Sequence, residues 1–261
     1  TVYTPISLNT IYNSNITFNN ITNGVYSSNR GLSLGIGGIG ENNSVENNIV
    51  SSAYGGVYLV NSVNSNVSLN SISSLSNDGI GIESSSNISV KYNNISAASY
   101  DILLTTVSDS EFKNNYLYGT PSYGFYGTAT RTNISQNNIT LSNSYGVRCN
   151  TCSGVNLSSN YITSGGAGSI GTWIVGGSGN YLFNNSYDAY TYYTIAVEGS
   201  TDNSIDSNNL TVGGGNGLGI ISGSSNNNIS NNYVTGGQYN YYFYGSNNLY
   251  IFNNSARTAS G

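Results

Sequence analysis

Few groups in this chain could carry out chemistry. Its 261 residues include 11 carboxylates, 6 cations and 2 cysteines, with no histidine and no methionine. Without histidine there is no Ser–His or Cys–His pair, so any acid–base work must fall to carboxylates. Glycoside hydrolysis needs two of them at a set separation. A lyase needs a base, commonly beside a cation held by clustered carboxylates. The available acids are Glu41, Glu46, Asp78, Glu83, Asp101, Asp109, Glu111, Asp188, Glu198, Asp202 and Asp206. The tightest group is Glu198, Asp202 and Asp206, followed by Asp78 with Asp101. Glu83 and Glu198, like Asp109 and Asp202, fall at equivalent positions of a repeat but several repeats apart. Lys91 and Lys113 share another position, with Glu111 nearby to offset them. No set forms a recognisable constellation, so the expectation is that the chain is not an enzyme and has no catalytic, cofactor-binding or metal-binding residues. Cys149 and Cys152 lack the further ligands of a zinc site and the setting of a redox motif. They are read as a short local disulfide, with two reduced, buried thiols as the alternative.

The elements that position these groups follow from a column of asparagines: Asn19, Asn48, Asn70, Asn93, Asn115, Asn137, Asn160, Asn185, Asn208, Asn232 and Asn254. Their spacings are 29, 22, 23, 22, 22, 23, 25, 23, 24 and 22 residues. An apolar residue stands three before each (Val67, Val90 and Phe112, for example), and a largely apolar column stands two after (Ile72, Ile95, Leu117). A period kept from end to end means a solenoid in which each repeat is one layer. The flanking apolar residues are five apart, an odd number, so the chain must turn between them for both to face inward. The Asn is expected in that turn, because it enters left-handed backbone readily and because stacked amides can bond from layer to layer.

A third landmark, often preceded by Gly, follows in each repeat: Gly56-Val57, Gly79-Ile80, Asp101-Ile102, Gly124-Phe125, Gly146-Val147, Ile170, Ile195, Gly217-Leu218 and Phe243. Three short strands per turn, rich in Val, Ile, Tyr and Thr and bounded by Asn, Ser and Gly, predict an all-β parallel β-helix of about ten coils. A leucine-rich repeat would need several leucines per repeat and a helical segment. At ~4.8 Å per coil the rod is roughly 50 Å long. The 29-residue first interval predicts a protrusion around residues 26–31, with strand pattern resuming at Leu34-Gly35-Ile36.

Composition narrows the partners. One uninterrupted repeat predicts a single domain over residues 1–261. The cations (Arg30, Lys91, Lys113, Arg131, Arg148, Arg257) are scattered, which argues against nucleic acid. No stretch is long and apolar enough to span a membrane. The chain opens at Thr1 without Met, which is read as a processed mature chain, an excised fragment or an incomplete chain, with processing of a secreted precursor the preferred reading. Thirteen N-x-S/T sequons make covalent N-glycans an expectation. Asn20, Asn94, Asn138 and Asn209, directly after ladder positions, are the best candidates; Asn15, Asn66, Asn133 and Asn228 are others. The 24 tyrosines cluster late, at Tyr187, Tyr190, Tyr192 and Tyr193 and again at Tyr239, Tyr241, Tyr242, Tyr244 and Tyr250. Tyr187 is expected in the core, and exposed rings suit interfaces or glycan stacking. No capping helix is evident at either end, so Val2, Tyr3 and the last five tyrosines are candidate contacts with further copies of the chain.

The repeats Asn87-Ile88-Ser89-Val90-Lys91-Tyr92-Asn93-Asn94-Ile95-Ser96 and Asn133-Ile134-Ser135-Gln136-Asn137-Asn138-Ile139-Thr140 resemble the right-handed parallel β-helix repeats of the pectate-lyase-like superfamily. More narrowly they are similar to the NosD-type, carbohydrate-binding and sugar-hydrolase-like repeats of archaeal cell-surface proteins. The resemblance covers nearly the whole chain and implies an extracellular or cell-surface location. The family's enzymes use clustered Asp with Arg, Lys or His, which this sequence does not match. The leading expectation is therefore an extracellular structural protein that polymerises into a filament, sheath or surface layer. The alternative is a polysaccharide-binding or polysaccharide-cleaving module.

Overall fold

A computed structural model describes residues 6–23, 30–35, 38–142, 145–166, 168–189 and 192–257. The contact candidates Val2 and Tyr3, residues 26–29 of the expected protrusion, and Tyr190 lie outside the described residues. Arg30 and Gly31 do not protrude; they open the strand Arg30–Leu34.

All regular structure among the described residues is β. A representative coil runs through Tyr100–Ser108, Glu111–Lys113 and Tyr116–Gly119. The next repeats the path at Tyr123–Thr130, Asn133–Ser135 and Asn138–Ser142. Each strand pairs in parallel with its counterpart one coil on, which gives three sheets along the stack: a long-strand sheet and two sheets of short strands. Residues one repeat apart are Cα partners, such as Phe112 with Ile134 and Leu117 with Ile139. The inward columns of all three sheets form one continuous apolar core. Full burial of a Val, Leu, Ile or Phe side chain stabilises by about 1.5–3 kcal/mol, and the columns repeat that contribution in every coil.

The asparagine column is an internal ladder. Asn93 Nδ2 donates to Asn115 Oδ1 at 3.1 Å and to the Val67 carbonyl at 2.8 Å, while its backbone N–H donates to the same Asn115 Oδ1 at 3.0 Å. The pattern repeats from Asn115 to Asn137 and from Asn137 to Asn160. Asn48 through Asn232 are buried at these positions. The ladder asparagines are not, however, the left-handed residues of the turn. That conformation falls on the residue before each, including Phe18 (φ 56°), Leu69 (φ 58°) and Tyr92 (φ 57°). The Asn itself must keep its amide aimed along the stack, so the preceding residue makes the bend and its side chain goes outward: Phe18 is 81% exposed. A second, partial ladder of Asn180, Asn203 and Asn227 occupies another corner, with Nδ2-to-Oδ1 bonds of 3.0 and 2.9 Å.

Two landmarks shift register. The inward partner of Val147 is Thr172, not Ile170, and that of Leu218 is Tyr241, not Phe243. In the first case a core threonine hides the apolar pattern, because Thr172 Oγ1 bonds the buried Tyr187 hydroxyl at 2.9 Å. Gly precedes the landmark for steric reasons. A Cβ at Gly124 would sit 2.8 Å from Ile139 Cγ2 and 2.6 Å from the Gly146 carbonyl oxygen. Asp101 breaks this column, turned inward with Oδ1 accepting the Ala97 N–H at 2.8 Å. Cys149 and Cys152 are joined by a disulfide, Cα–Cα 5.6 Å.

Candidate functional site

The long-strand sheet presents an outer face whose columns can be followed coil by coil. One column runs Tyr58, Gly81, Leu103, Tyr126, Arg148, Trp173, Ala196, Gly219, Tyr242. Beside it Asp78 is followed by Tyr100, Tyr123 and Tyr145, and Ile170 by Tyr193, Asn216 and Tyr239. A strand places alternate residues outward, so a ring at one column position stacks on a ring at the same position in the next coil.

Near the start of the face, side chains close over themselves. The Arg30 guanidinium carbon lies 3.2 Å from the Tyr58 ring centroid, and Nη2 lies 3.6 Å from Asp78 Oδ1. The Tyr58 hydroxyl donates to Glu83 Oε2. Burial first, and then the bond to Glu83, push the Tyr58 hydroxyl up to about 12. Asp78 is fully buried, and its carboxylate takes the space above Gly81, where a Cβ would overlap Oδ2. Desolvation raises its pKa, with the Arg30 charge opposing. Neither Asp78 oxygen has a hydrogen-bond partner among the described residues.

Further along, rings form a stack. Tyr100 and Tyr123 are 5.5 Å apart between centroids, Tyr123 and Tyr145 5.0 Å, Tyr145 and Trp173 5.8 Å, all within 26° of parallel. Arg148 places its guanidinium carbon 4.3 Å from the Trp173 ring. The stack ends at an open cleft of about 380 Å³ lined by Tyr145, Gly168, Ile170, Trp173, Tyr192, Tyr193, Ala196, Glu198, Ile221 and Ser222. Ala196, with no bulk in its column, lines the cleft. Tyr193 leans over Gly219, where a Cβ would lie 2.5 Å from Tyr193 Cε1. Glu198 Oε2 accepts the Trp173 indole N–H at 3.1 Å and supplies the cleft's carboxylate.

The acids grouped by sequence are dispersed. Glu198 faces outward on the long-strand sheet. Asp202 is a left-handed corner residue (φ 57°), and Asp206 lies on the next sheet, accepting from Ser230 Oγ at 2.8 Å and Asn231 Nδ2 at 2.7 Å. Asp78 and Asp101 likewise part, one on the outer face and one inside. Lys91 pairs with Glu111 at 2.5 Å and Arg131 with Asp109 at 2.7 Å. Asn15, Asn20, Asn94, Asn138 and Asn209 are exposed, while Asn66, Asn133 and Asn228 are half-buried. Of the late tyrosines, Tyr192, Tyr239, Tyr244 and Tyr250 are exposed. Tyr242 lies 6.2 Å from Tyr193. Tyr241 instead faces the core and donates to the Asn232 carbonyl at 3.0 Å; burial pushes its hydroxyl up to about 12. The sequence reading missed the ring stack. Its signal was the recurrence of Tyr100, Tyr123 and Tyr145 at the repeat period.

Fold and face together define a parallel β-helix protein with an aromatic outer site. The chain belongs to the NosD family: the sequence model of that family, described as "Periplasmic copper-binding protein (NosD)", matches residues 6–192. The family's periplasmic description agrees with a location outside the cytoplasm, and no helix among the described residues is long and apolar enough to cross a membrane. No curated protein matches the chain in sequence. Among solved structures it is similar to the Dettilon tailspike protein (TM-score 0.57, 12% identity, 91% of this chain and 60% of that one). It is similar also to the C387A mutant of DFA-IIIase from Arthrobacter chlorophenolicus A6 in complex with DFA-III (TM-score 0.58, 12% identity, 78% and 58%). A third is the mannuronan C-5 epimerase AlgE6 A-module of Azotobacter vinelandii (TM-score 0.50, 10% identity, 97% and 91%). The chain thus spans less than two thirds of the tailspike and DFA-IIIase chains. At such identities the likeness is one of fold. It still corrects the expectation that the chain is not an enzyme, because this architecture carries an epimerase and is compatible with enzymatic activity.

The donor set does not suit the metal in the family description. Copper sites draw on imidazole, thiolate and thioether ligands. This chain has no His and no Met, both cysteines are tied in the disulfide, and no three acidic or cysteine side chains converge among the described residues.

Proposed function

We propose that the chain binds a polysaccharide along the outer face of the long-strand sheet and presents it for processing at the Trp173 cleft. The observation that carries this reading is the ring stack Tyr100–Tyr123–Tyr145–Trp173 ending in an open cleft with a carboxylate at its wall. A sugar ring offers an apolar C–H face to an aromatic plane and hydroxyls to a carboxylate. A mostly aromatic cleft with one placed polar group serves both. A periodic face also suits a periodic ligand. Likeness to a mannuronan C-5 epimerase supports the same reading over a filament-forming one. The protein acts in the periplasm or at the cell surface. N-glycans at Asn20, Asn94, Asn138 and Asn209, and self-association through Tyr239, Tyr244 and Tyr250, are separate proposals, tested by intact mass and by concentration-dependent light scattering. For the main reading, calorimetric titration with a panel of polysaccharides should find one bound by the wild type, with product analysis of the same mixtures. No binding across neutral, acidic and sulfated chains sinks the proposal.

A further inference from the structure

We infer that Arg148 makes the site select a polysaccharide bearing an anionic substituent, a uronate carboxylate or a sulfate ester, one coil before the Trp173 cleft. This rests on the polysaccharide reading above and adds the substrate's charge. Arg30, Lys91 and Arg131 each face a carboxylate, at 3.6, 2.5 and 2.7 Å. Arg148, like Lys113 and Arg257, faces none among the described residues, although every Asp and Glu of the chain is described; of these three it is the one set on the aromatic face. It is held by rings instead: its guanidinium carbon lies 4.3 Å from the Trp173 ring, 5.8 Å from Tyr126 and 6.0 Å from Tyr123. Nε donates to Asn150 Oδ1 at 3.2 Å and Nη1 to the Tyr123 hydroxyl at 3.3 Å. Both bonds are long and both acceptors neutral, so no ion pair compensates the charge.

A guanidinium offers five donors in a planar fork that matches a carboxylate or sulfate edge. Stacking on Trp173 fixes the plane before a ligand arrives, which lowers the ordering cost of the contact. Glu198 forms no ion pair with it: its strand position is two coils further on, and its Oε2 accepts the Trp173 N–H. The net charge of −5 is spread over the rod, and its repulsion of an anionic chain is screened within about 8 Å at physiological salt.

The test uses the whole chain with three polymers: a polyuronate, the same polymer after carboxyl reduction, and a sulfated neutral glycan. The polyuronate or the sulfated chain should bind at least about tenfold tighter than the reduced polymer, with the advantage shrinking as salt rises. Arg148→Gln should erase the preference, so that this variant binds the charged and the reduced polymer equally, and Arg148→Lys should restore part of it. Which anionic polymer wins identifies the substituent. Equal binding of charged and reduced polymers overturns this inference and leaves the polysaccharide reading standing. Binding of none of them overturns both.

Discussion

The outer face of the long-strand sheet is built twice from the same columns with opposite results. Around Arg30, Tyr58, Asp78 and Glu83, the space over Gly81 is filled by a neighbour's carboxylate, and the charges turn toward one another. Around Trp173, Ala196 and Glu198, comparable small residues leave a cleft of about 380 Å³. Backbone and register are the same in both regions. The difference lies in where the side chain three residues before the small one goes: Asp78 folds back over Gly81 of its own strand, whereas Tyr193, three before Ala196, leans across to Gly219 of the next coil. On a solenoid the repeat fixes where side chains stand, and the order of sizes along one column decides whether a site opens.

This contrast can be broken from either side. Trp173→Ala removes the cleft's wall and should weaken saccharide binding by about 30-fold or more, the range of a central aromatic contact, with little change in the melting temperature of the partly exposed site. Gly81→Ala acts in the closed region: its Cβ overlaps Asp78 Oδ2, so it should cost about 1–3 kcal/mol of stability by overpacking and leave saccharide affinity unchanged. A matched loss of affinity would mean the two regions form one site. Glu198→Ala should cost about tenfold in affinity by removing a charged acceptor, and Glu198→Gln less. The smallest effect falls away from the outer face, in the core. Asp101 is buried with a pKa held well above the usual carboxylate range by desolvation, with the Ala97 N–H opposing. The unfolded chain therefore loses this proton first, and stability should fall as pH rises from about 4 toward the folded pKa. Asp101→Asn should flatten that slope in melting curves taken across the range. A slope unchanged by the substitution would assign it to other groups.

The fold was legible in the sequence because a solenoid writes its core as a period. The ladder from Asn19 to Asn254 and the columns through Phe112 and Leu117 need no long-range information beyond a count of residues. Three things were hidden. The left-handed turn residue stands before the ladder Asn and varies freely among Phe18, Leu69 and Tyr92, because only its backbone matters. The core position at Thr172 is polar and satisfied by Tyr187, so the apolar landmark falls instead on Ile170, two residues earlier. The candidate site was the least legible part. Charges near in sequence, such as Glu198, Asp202 and Asp206, fall on different faces, while Tyr100, Tyr123, Tyr145 and Trp173 are 22 to 28 residues apart in sequence and adjacent in space.

The central claim, that the open end of the aromatic stack is where a saccharide chain sits, has a built-in reporter, since Trp173 is the chain's sole tryptophan. Its emission should be followed while a polysaccharide that binds by calorimetry is titrated in. The account predicts a saturable change in intensity and wavelength with the same midpoint as the heat signal. Calorimetric binding that leaves the Trp173 spectrum unchanged would place the ligand elsewhere on the rod and contradict it.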